Sequence, residues 1–343
     1  MSFNTVTLAS IADRLESAQR IMVLCHTGPD GDAVGSSTAF ALMCEAMGKE
    51  VKCVAPDKLA ERLSFIIPER LRAEYTDSLE DSFDTVVALD TASPAQLGVL
   101  SHLAENGKIH LMIDHHGVGE PYADSYIDVS ASATGEIMWH LYVLLRERGL
   151  LPTMSEVSRA VYAAIVSDTG SFKFSNTTPD THLIAASLVD EINSAEDGGM
   201  TTDELCRNLF GRRTLRDIKA QGLAIENLRV FADGEIGAVL LTADEYLDRG
   251  LEEGDLSMAV ETPRSLAGVK IAIAVRQKAD ERDTFKVSSR SNCDVNVSEV
   301  CALFGGGGHP KAAGCTIYGT DPEKTLLEAV RAFAAAIGKD TLV

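Results

Sequence analysis

The sequence predicts an α/β protein: a doubly wound parallel sheet in the N-terminal half and a smaller C-terminal α/β domain. Three observations lead there. Short apolar runs alternate with longer amphipathic stretches in the first half, and three of those runs end directly in acidic or histidine-containing segments. A polar, glycine-containing stretch at 190–200 then precedes a second strand-rich region.

Residues 21–25 (IMVLC) read as a buried strand, followed after a loop by a helical stretch over 35–47. Strand-like runs recur at 51–55, 85–89 and 109–113, and helical stretches at 135–148 and 157–166. Strands alternating with helices imply a parallel sheet covered on both faces. Carboxyl ends of parallel strands are where open α/β sheets place ligands, so His26, Asp90 and Asp114, each just past an apolar run, should converge at one edge. A helix-like stretch runs from 201 towards 228, with strands expected at 236–241, 269–275 and 284–289 and a glycine run at 305–308. The expected division is an N-terminal domain over 1–192, a linker and connecting helix over 193–228, and a C-terminal domain over 229–343.

The 343 residues suffice for two cores, and 45% hydrophobic with 24% charged residues is ordinary for a soluble protein. No apolar run approaches the ~20 residues of a membrane span, and no signal segment is read at the N-terminus. The seven cysteines are odd in number and none forms a CxxC pair. A disulfide framework or zinc-thiolate site is therefore not expected, and a reducing cytoplasm is. The net charge of −20 opposes broad nucleic-acid binding. Residues 262–343, however, carry 11 Lys and Arg against 9 Asp and Glu, a balance of +2 that leaves −22 on the other 261. A polyanion would be held by a local cluster in the C-terminal third.

The first chemical motif is HTGPDGDAVGS, beginning at His26. His26, Asp30 and Asp32 offer imidazole and hard oxygen ligands that suit Mn²⁺, Mg²⁺, Zn²⁺ or Fe²⁺. Gly31 and Gly35 are expected to let the loop turn tightly. Taken alone, an ordinary turn-rich loop leading to a helix explains the segment equally well. Asp90 alone could be a helix cap, and so could Asp168 in SDTGSF. The triplet Asp114-His115-His116 is harder to explain as structural. Four aspartates and two histidines at one sheet edge are untenable without cations. Two divalent ions would balance them, lower the pKa of water from about 15.7 towards ~7, and clamp an in-line displacement at phosphorus. In the C-terminal third, FGGGGHPKAAG (304–314) offers backbone N–H groups of Gly306, Gly307 and Gly308, with His309 and Lys311. The KVSSRS segment (286–291) adds the Ser288 hydroxyl and the Arg290 guanidinium, both suited to phosphate.

The order of these motifs, from His26 through Asp90 and DHH to SDTGSF, resembles the DHH phosphoesterase superfamily, and GGGGHPKAAG resembles the signature of the DHHA1 domain. Over the whole chain the resemblance is to the nanoRNase/pAp-phosphatase (NrnA-like) group. It implies a two-metal hydrolase, usually Mn²⁺-dependent, acting on very short oligonucleotides and linear dinucleotides or on 3′-phosphoadenosine 5′-phosphate (pAp). His26, Asp30 and Asp90 would hold one metal. Asp32, Asp90, His115 and Asp168 would hold the other, with Asp90 bridging. His116 would stand at the scissile phosphate, while Asp114 would orient a ligating histidine. Arg290, Ser288, Gly306–Gly308, His309 and Lys311 would hold the substrate, in a cleft between the domains. An exopolyphosphatase-type hydrolase is the rival reading, and a non-catalytic nucleotide-binding regulator the non-enzyme one. The sequence leaves metal identity, cleavage direction and oligomeric state open.

Overall fold

A computed structural model describes residues 3–76, 79, 82–117, 119–211 and 213–339, with the side chain of His309 outside the described atoms. The chain divides into two compact units, 1–212 and 213–343. The first contains α1 (Leu8–Ser17), β1 (Arg20–Leu24), α2 (Gly31–Ala46), β2 (Glu50–Val54), β3 (Thr85–Leu89), α3 (Ser101–Glu105), β4 (Leu111–Asp114), β5 (Asp124–Ile127), α4 (Thr134–Glu147), α5 (Ser155–Asp168), α6 (Pro179–Asn193) and α7 (Thr202–Cys206). Its five strands form a parallel sheet in the order β2-β1-β3-β4-β5.

The inner strands read as continuous apolar runs because both faces are buried. In β1, Ile21 and Val23 join one core while Met22 and Leu24 join the core on the opposite face. In β3, Val87 and Leu89 alternate the same way with Val86 and Ala88. This is the predicted parallel sheet with its first three polar loops, after β1, β3 and β4, at one edge.

One expectation is corrected. Gly31 and Gly35 do not shape a loop, because both lie inside α2. Their role is close helix packing. A Cβ on Gly35 would lie 2.6 Å from the Ala160 carbonyl oxygen and 2.8 Å from Ala164 Cβ, both on α5. On Gly31 it would lie 2.4 Å from Ser167 Oγ. Bare backbone at these positions is what lets α2 and α5 approach, and these helices carry Asp32 and Asp168.

The helical stretch expected from 201 towards 228 is broken into α7, a π-turn at Arg207–Gly211, and α8 (Leu215–Glu226). The restart has a local cause: Thr214 and Asp217 form a capping box that satisfies N–H groups at the start of α8. The second unit continues with β6 (Leu228–Phe231), β7 (Ile236–Leu241), α9 (Ala243–Leu247), α10 (Glu261–Arg264), β8 (Ile271–Gln277), β9 (Thr284–Ser291), α11 (Val297–Ala302), β10 (Gly307–His309), β11 (Ala312–Tyr318) and α12 (Pro322–Ala336). Its mixed sheet has the order β10-β11-β9-β8-β7-β6, with only β7 and β8 parallel. Residues such as Ile273, Val275, Phe285 and Val287 pack with α12 on one face. Ala272 and Ala274 pack with Leu223 and Tyr246 on the other.

Candidate metal centre

Three strand ends and two helix ends bring the predicted residues together. His26 follows β1, Asp90 follows β3, and Asp114 closes β4 with His115 and His116 behind it. Asp30 is the N-cap of α2, and its Oδ1 accepts from the backbone N–H groups of Asp32 and Ala33. The same Oδ1 lies 3.8 Å from His26 Nε2. Capping and metal ligation are therefore compatible roles for one carboxylate. Asp168, expected as a ligand of the second metal, is the last residue of α5.

The ligand atoms fall into overlapping groups, each lying within 4.8 Å of one another: His26, Asp30 and Asp90; Asp32, His115 and Asp168; and Asp90, His115 and His116. Asp90 is common to the first and third. Its Oδ2 lies 3.5 Å from His26 Nε2, and its Oδ1 lies 3.7 Å from His115 Nε2. His115 Nε2 is also 3.8 Å from Asp32 and 3.7 Å from Asp168. Asp90 adopts φ +57°, a left-handed conformation uncommon for a residue with a side chain. Such strain clusters where a side chain must be aimed at a functional site.

The histidines are oriented through their other ring nitrogens. His26 Nδ1 lies 2.8 Å from the Thr27 carbonyl oxygen, and His115 Nδ1 lies 3.3 Å from that of Ala131. An Nδ1–H donated to a carbonyl leaves Nε2 as the ring atom facing the carboxylates, the one that would ligate a metal once it gives up its proton. Asp114 serves a different histidine from the one expected. His116 Nδ1 donates to Asp114 Oδ1 at 2.7 Å, and the same oxygen accepts from the His115 backbone N–H. The carboxylate thus orients His116, because the ring of His115 turns away towards Ala131.

Several contributors carry no sequence signal of their own. The N-terminus of α4 grips Asp32: Thr134 N–H donates to Oδ2 at 2.7 Å and Gly135 N–H to Oδ1 at 2.9 Å. Helix N-termini favour anions for this reason. Ser36 Oγ donates to Asp32 Oδ1, and Thr134 Oγ1 donates to Asp90 Oδ1 at 3.0 Å. Asn176 Nδ2 bonds both the carbonyl and the carboxylate of Asp168.

The electrostatics fit a cation centre. Burial, then the charges of Asp90 and Asp168, push Asp32 well above the usual carboxylate range. Burial, partly opposed by His115 and reinforced by Asp30 and Asp90, pushes Asp168 up to about 6. Burial disfavours the charged form of His26, but bonds to Asp30 and Asp90 outweigh it and raise its pKa to about 11. His116 is raised to about 9, chiefly by its bond to Asp114. Protein alone holds this many carboxylates together only by recruiting protons. Divalent ions would do so better, and the nitrogen and oxygen donors suit them.

In the second unit, the glycine run departs from the expected open N–H cradle. Gly305 N–H bonds the Ala302 carbonyl and Gly306 N–H bonds that of Cys301, so both cap the C-terminus of α11. Gly307 and Gly308 belong to β10 and pair with Gly314 and Ala313 of β11. A Cβ on Gly306 would meet the Gly314 carbonyl oxygen at 2.2 Å, so the bare backbone serves close strand approach. Arg290 Nε lies 3.2 Å from Glu261, and Ser288 Oγ accepts from Arg276 at 3.0 Å. The Lys311 ammonium contacts the Cys293 carbonyl and lies 3.8 Å from Asp294. The His309 side chain lies outside the described residues.

A family model described as the DHH family, N-terminal domain, matches residues 20–165, and one described as the DHHA1 domain matches residues 238–336. The chain is 32% identical to the bifunctional oligoribonuclease and PAP phosphatase NrnA of Thermus thermophilus, over 91% of this chain and 89% of that protein. It is 27% identical to the Bacillus subtilis protein of the same description, over 88% of this chain and 90% of that one. Among solved structures, an exopolyphosphatase-related protein from Bacteroides fragilis superposes with a TM-score of 0.85 at 23% identity, covering 96% of this chain and 95% of that one. RecJ of Thermus thermophilus, in complex with Mn²⁺, superposes with a TM-score of 0.55 at 16% identity, covering 98% and 55%. At these identities the two structural likenesses concern the fold.

Proposed function

The chain belongs to the DHH family and carries its DHHA1 domain, and from that premise we propose that it is a two-metal phosphoesterase. Its substrates are short oligonucleotides, cut to mononucleotides, and pAp, which loses a phosphate. The relatives named above carry both activities in their descriptions. The observation that carries the reading is Asp90, whose two carboxylate oxygens turn towards two different histidines, His26 and His115.

His26, Asp30 and Asp90 Oδ2 would hold one divalent ion, and Asp32, Asp90 Oδ1, His115 and Asp168 the other, with Mn²⁺ the expected metal. When bound, such ions supply Lewis-acid polarisation of the phosphoryl group and a lowered pKa for the attacking water. Thr134 and the N–H groups opening α4 hold Asp32 and Asp90 in position. His116, fixed through Nδ1 by Asp114, presents Nε2 to the phosphate, where it donates to a phosphoryl oxygen or to the leaving group. In the second unit, Arg290, Ser288, Gly307, Gly308, His309 and Lys311 are the groups proposed to hold the substrate. Gly306 contributes through its fit against β11, since its N–H is committed to Cys301.

The test is to incubate the protein and Mn²⁺ with pAp, a dinucleotide, a 24-mer and polyphosphate. Turnover of pAp and the dinucleotide, with the 24-mer slow, is expected. Hydrolysis of polyphosphate alone would overturn the nucleotide reading, and binding without turnover would favour a regulator.

A further inference from the structure

One face of the second sheet carries an arrangement of charge that no role above explains. Arg276 on β8 is the cross-strand partner of Lys286 on β9, and Lys286 is the partner of Thr316 on β11. Like charges directly opposite each other on antiparallel strands repel. Among the described residues neither cation makes an ion pair. Arg276 instead donates to Ser288 Oγ at 3.0 Å and Lys286 to Thr316 Oγ1 at 3.1 Å. Arg264, Arg282 and Arg290 of the same unit each have a carboxylate partner. Arg276 Nε is buried with no hydrogen-bond partner. Burial also lowers its pKa, against the distant pull of Glu253. A half-buried guanidinium held this way is costly unless an anion completes it.

The same residues face open space. A cavity of about 630 Å³ is lined by Arg276, Lys286, Ser288, Thr316 and the glycine backbone at 305, 306 and 314. Tyr318 stands on its rim with 75% of its surface exposed. Cations that track a phosphate, beside an aromatic ring on which a base stacks, are the recurring parts of single-stranded nucleic-acid sites.

We propose that Arg276, Lys286 and Thr316 form a phosphate subsite for a second nucleotide of the substrate, with Tyr318 as the stacking platform for its base. The subsite is several residues along the strand from Arg290, and it makes substrates longer than one nucleotide bind more tightly. It rests on the phosphoesterase reading above for the identity of its ligand. The guanidinium supplies a planar, two-pronged donor for the phosphate and the lysine a point charge.

The experiment is calorimetric titration of the full chain in EDTA with a 5′-phosphorylated RNA trinucleotide, and separately with adenosine. Wild type, Lys286→Ala, Arg276→Met and Tyr318→Ala are compared across salt concentrations. Lys286→Ala and Arg276→Met should each weaken trinucleotide binding about tenfold or more and reduce the salt slope by roughly 0.7 per cation removed. Tyr318→Ala should weaken it at least about fivefold, with the salt slope unchanged. Adenosine binding should not respond to Lys286→Ala. Lys286 is exposed, so its variant folds and decides the matter: trinucleotide affinity within twofold of wild type, with an unchanged slope, would overturn the subsite. If the variants lose binding yet wild type with Mn²⁺ leaves the trinucleotide intact, the phosphoesterase reading fails and the subsite stands.

Discussion

Replacing Gly35 by alanine tests whether the metal centre depends on how closely two helices pack. The added methyl would sit 2.6 Å from the Ala160 carbonyl oxygen, 2.8 Å from Ala164 Cβ and 2.9 Å from Ala164 N. Two of those atoms belong to the backbone of α5 and cannot rotate away, so α2 and α5 must separate by about 1 Å to restore ordinary contact. Overpacking of this kind costs about 1–3 kcal/mol, while alanine in place of glycine returns about 1 kcal/mol of helix propensity. The net expectation is a loss of roughly 1 kcal/mol, or a few degrees in melting temperature. The functional effect should be larger. Asp32 rides on α2 and Asp168 on α5, and a shift of about 1 Å in such groups can lower turnover on the order of 10²-fold. Thermal melts in EDTA, Mn²⁺ titration and turnover of a dinucleotide would measure all three. Gly222→Ala is the control: its Cβ would meet nothing within 4 Å on α8, so it should gain about 0.5–1 kcal/mol. A Gly35→Ala protein with wild-type stability, Mn²⁺ affinity and turnover would refute the packing argument.

Three further outcomes are expected. Thr134→Val removes the hydroxyl that donates to Asp90 Oδ1 while keeping the backbone N–H on Asp32. Mn²⁺ affinity, read by titration, should fall about 10-fold, at the lower end for a residue supporting a ligand. His116→Gln should lower kcat by about 10²-fold or more and leave metal content, read by elemental analysis, unchanged. Asp197 is held below the usual carboxylate range by Arg159, Ser155 and the Gly199 N–H. A depressed pKa contributes stability above the unfolded value of about 3.9 that is lost as pH falls through the folded one. Asp197→Asn should therefore cost up to about 1 kcal/mol at pH 7, allowing for solvent screening. In urea titrations that deficit should shrink progressively as the pH falls below about 4.

Much of the first unit was legible because its central strands are buried on both faces. Runs such as TVVAL in β3 are continuous apolar signals, and each stops where a polar residue enters the site. The edge strand β5, DSYI, is four residues long and half exposed, so it has no such signature. Gly31 and Gly35 show the limit of local reasoning, since the same glycines that suit a turn also suit a helix contact made with residues more than 120 positions away. Asp114 shows another. Its neighbour in sequence is a ligand candidate, yet the ring it orients is one residue further on, because His115 turns to Ala131. Thr134 and Asn176 were invisible because their importance lies in partners reached only through tertiary folding. In the second unit, strand pairing hid what the glycine run suggested. The Gly306 N–H, which looked available to a phosphate, is consumed at the end of α11.

The most direct test of the central claim is electron paramagnetic resonance of the chain loaded with two equivalents of Mn²⁺. Because Asp90 turns one oxygen towards His26 and the other towards His115, two bound ions should lie about 3.5–4 Å apart and give the signal of an exchange-coupled pair. A spectrum of isolated, uncoupled Mn²⁺ at saturation would contradict the two-metal account.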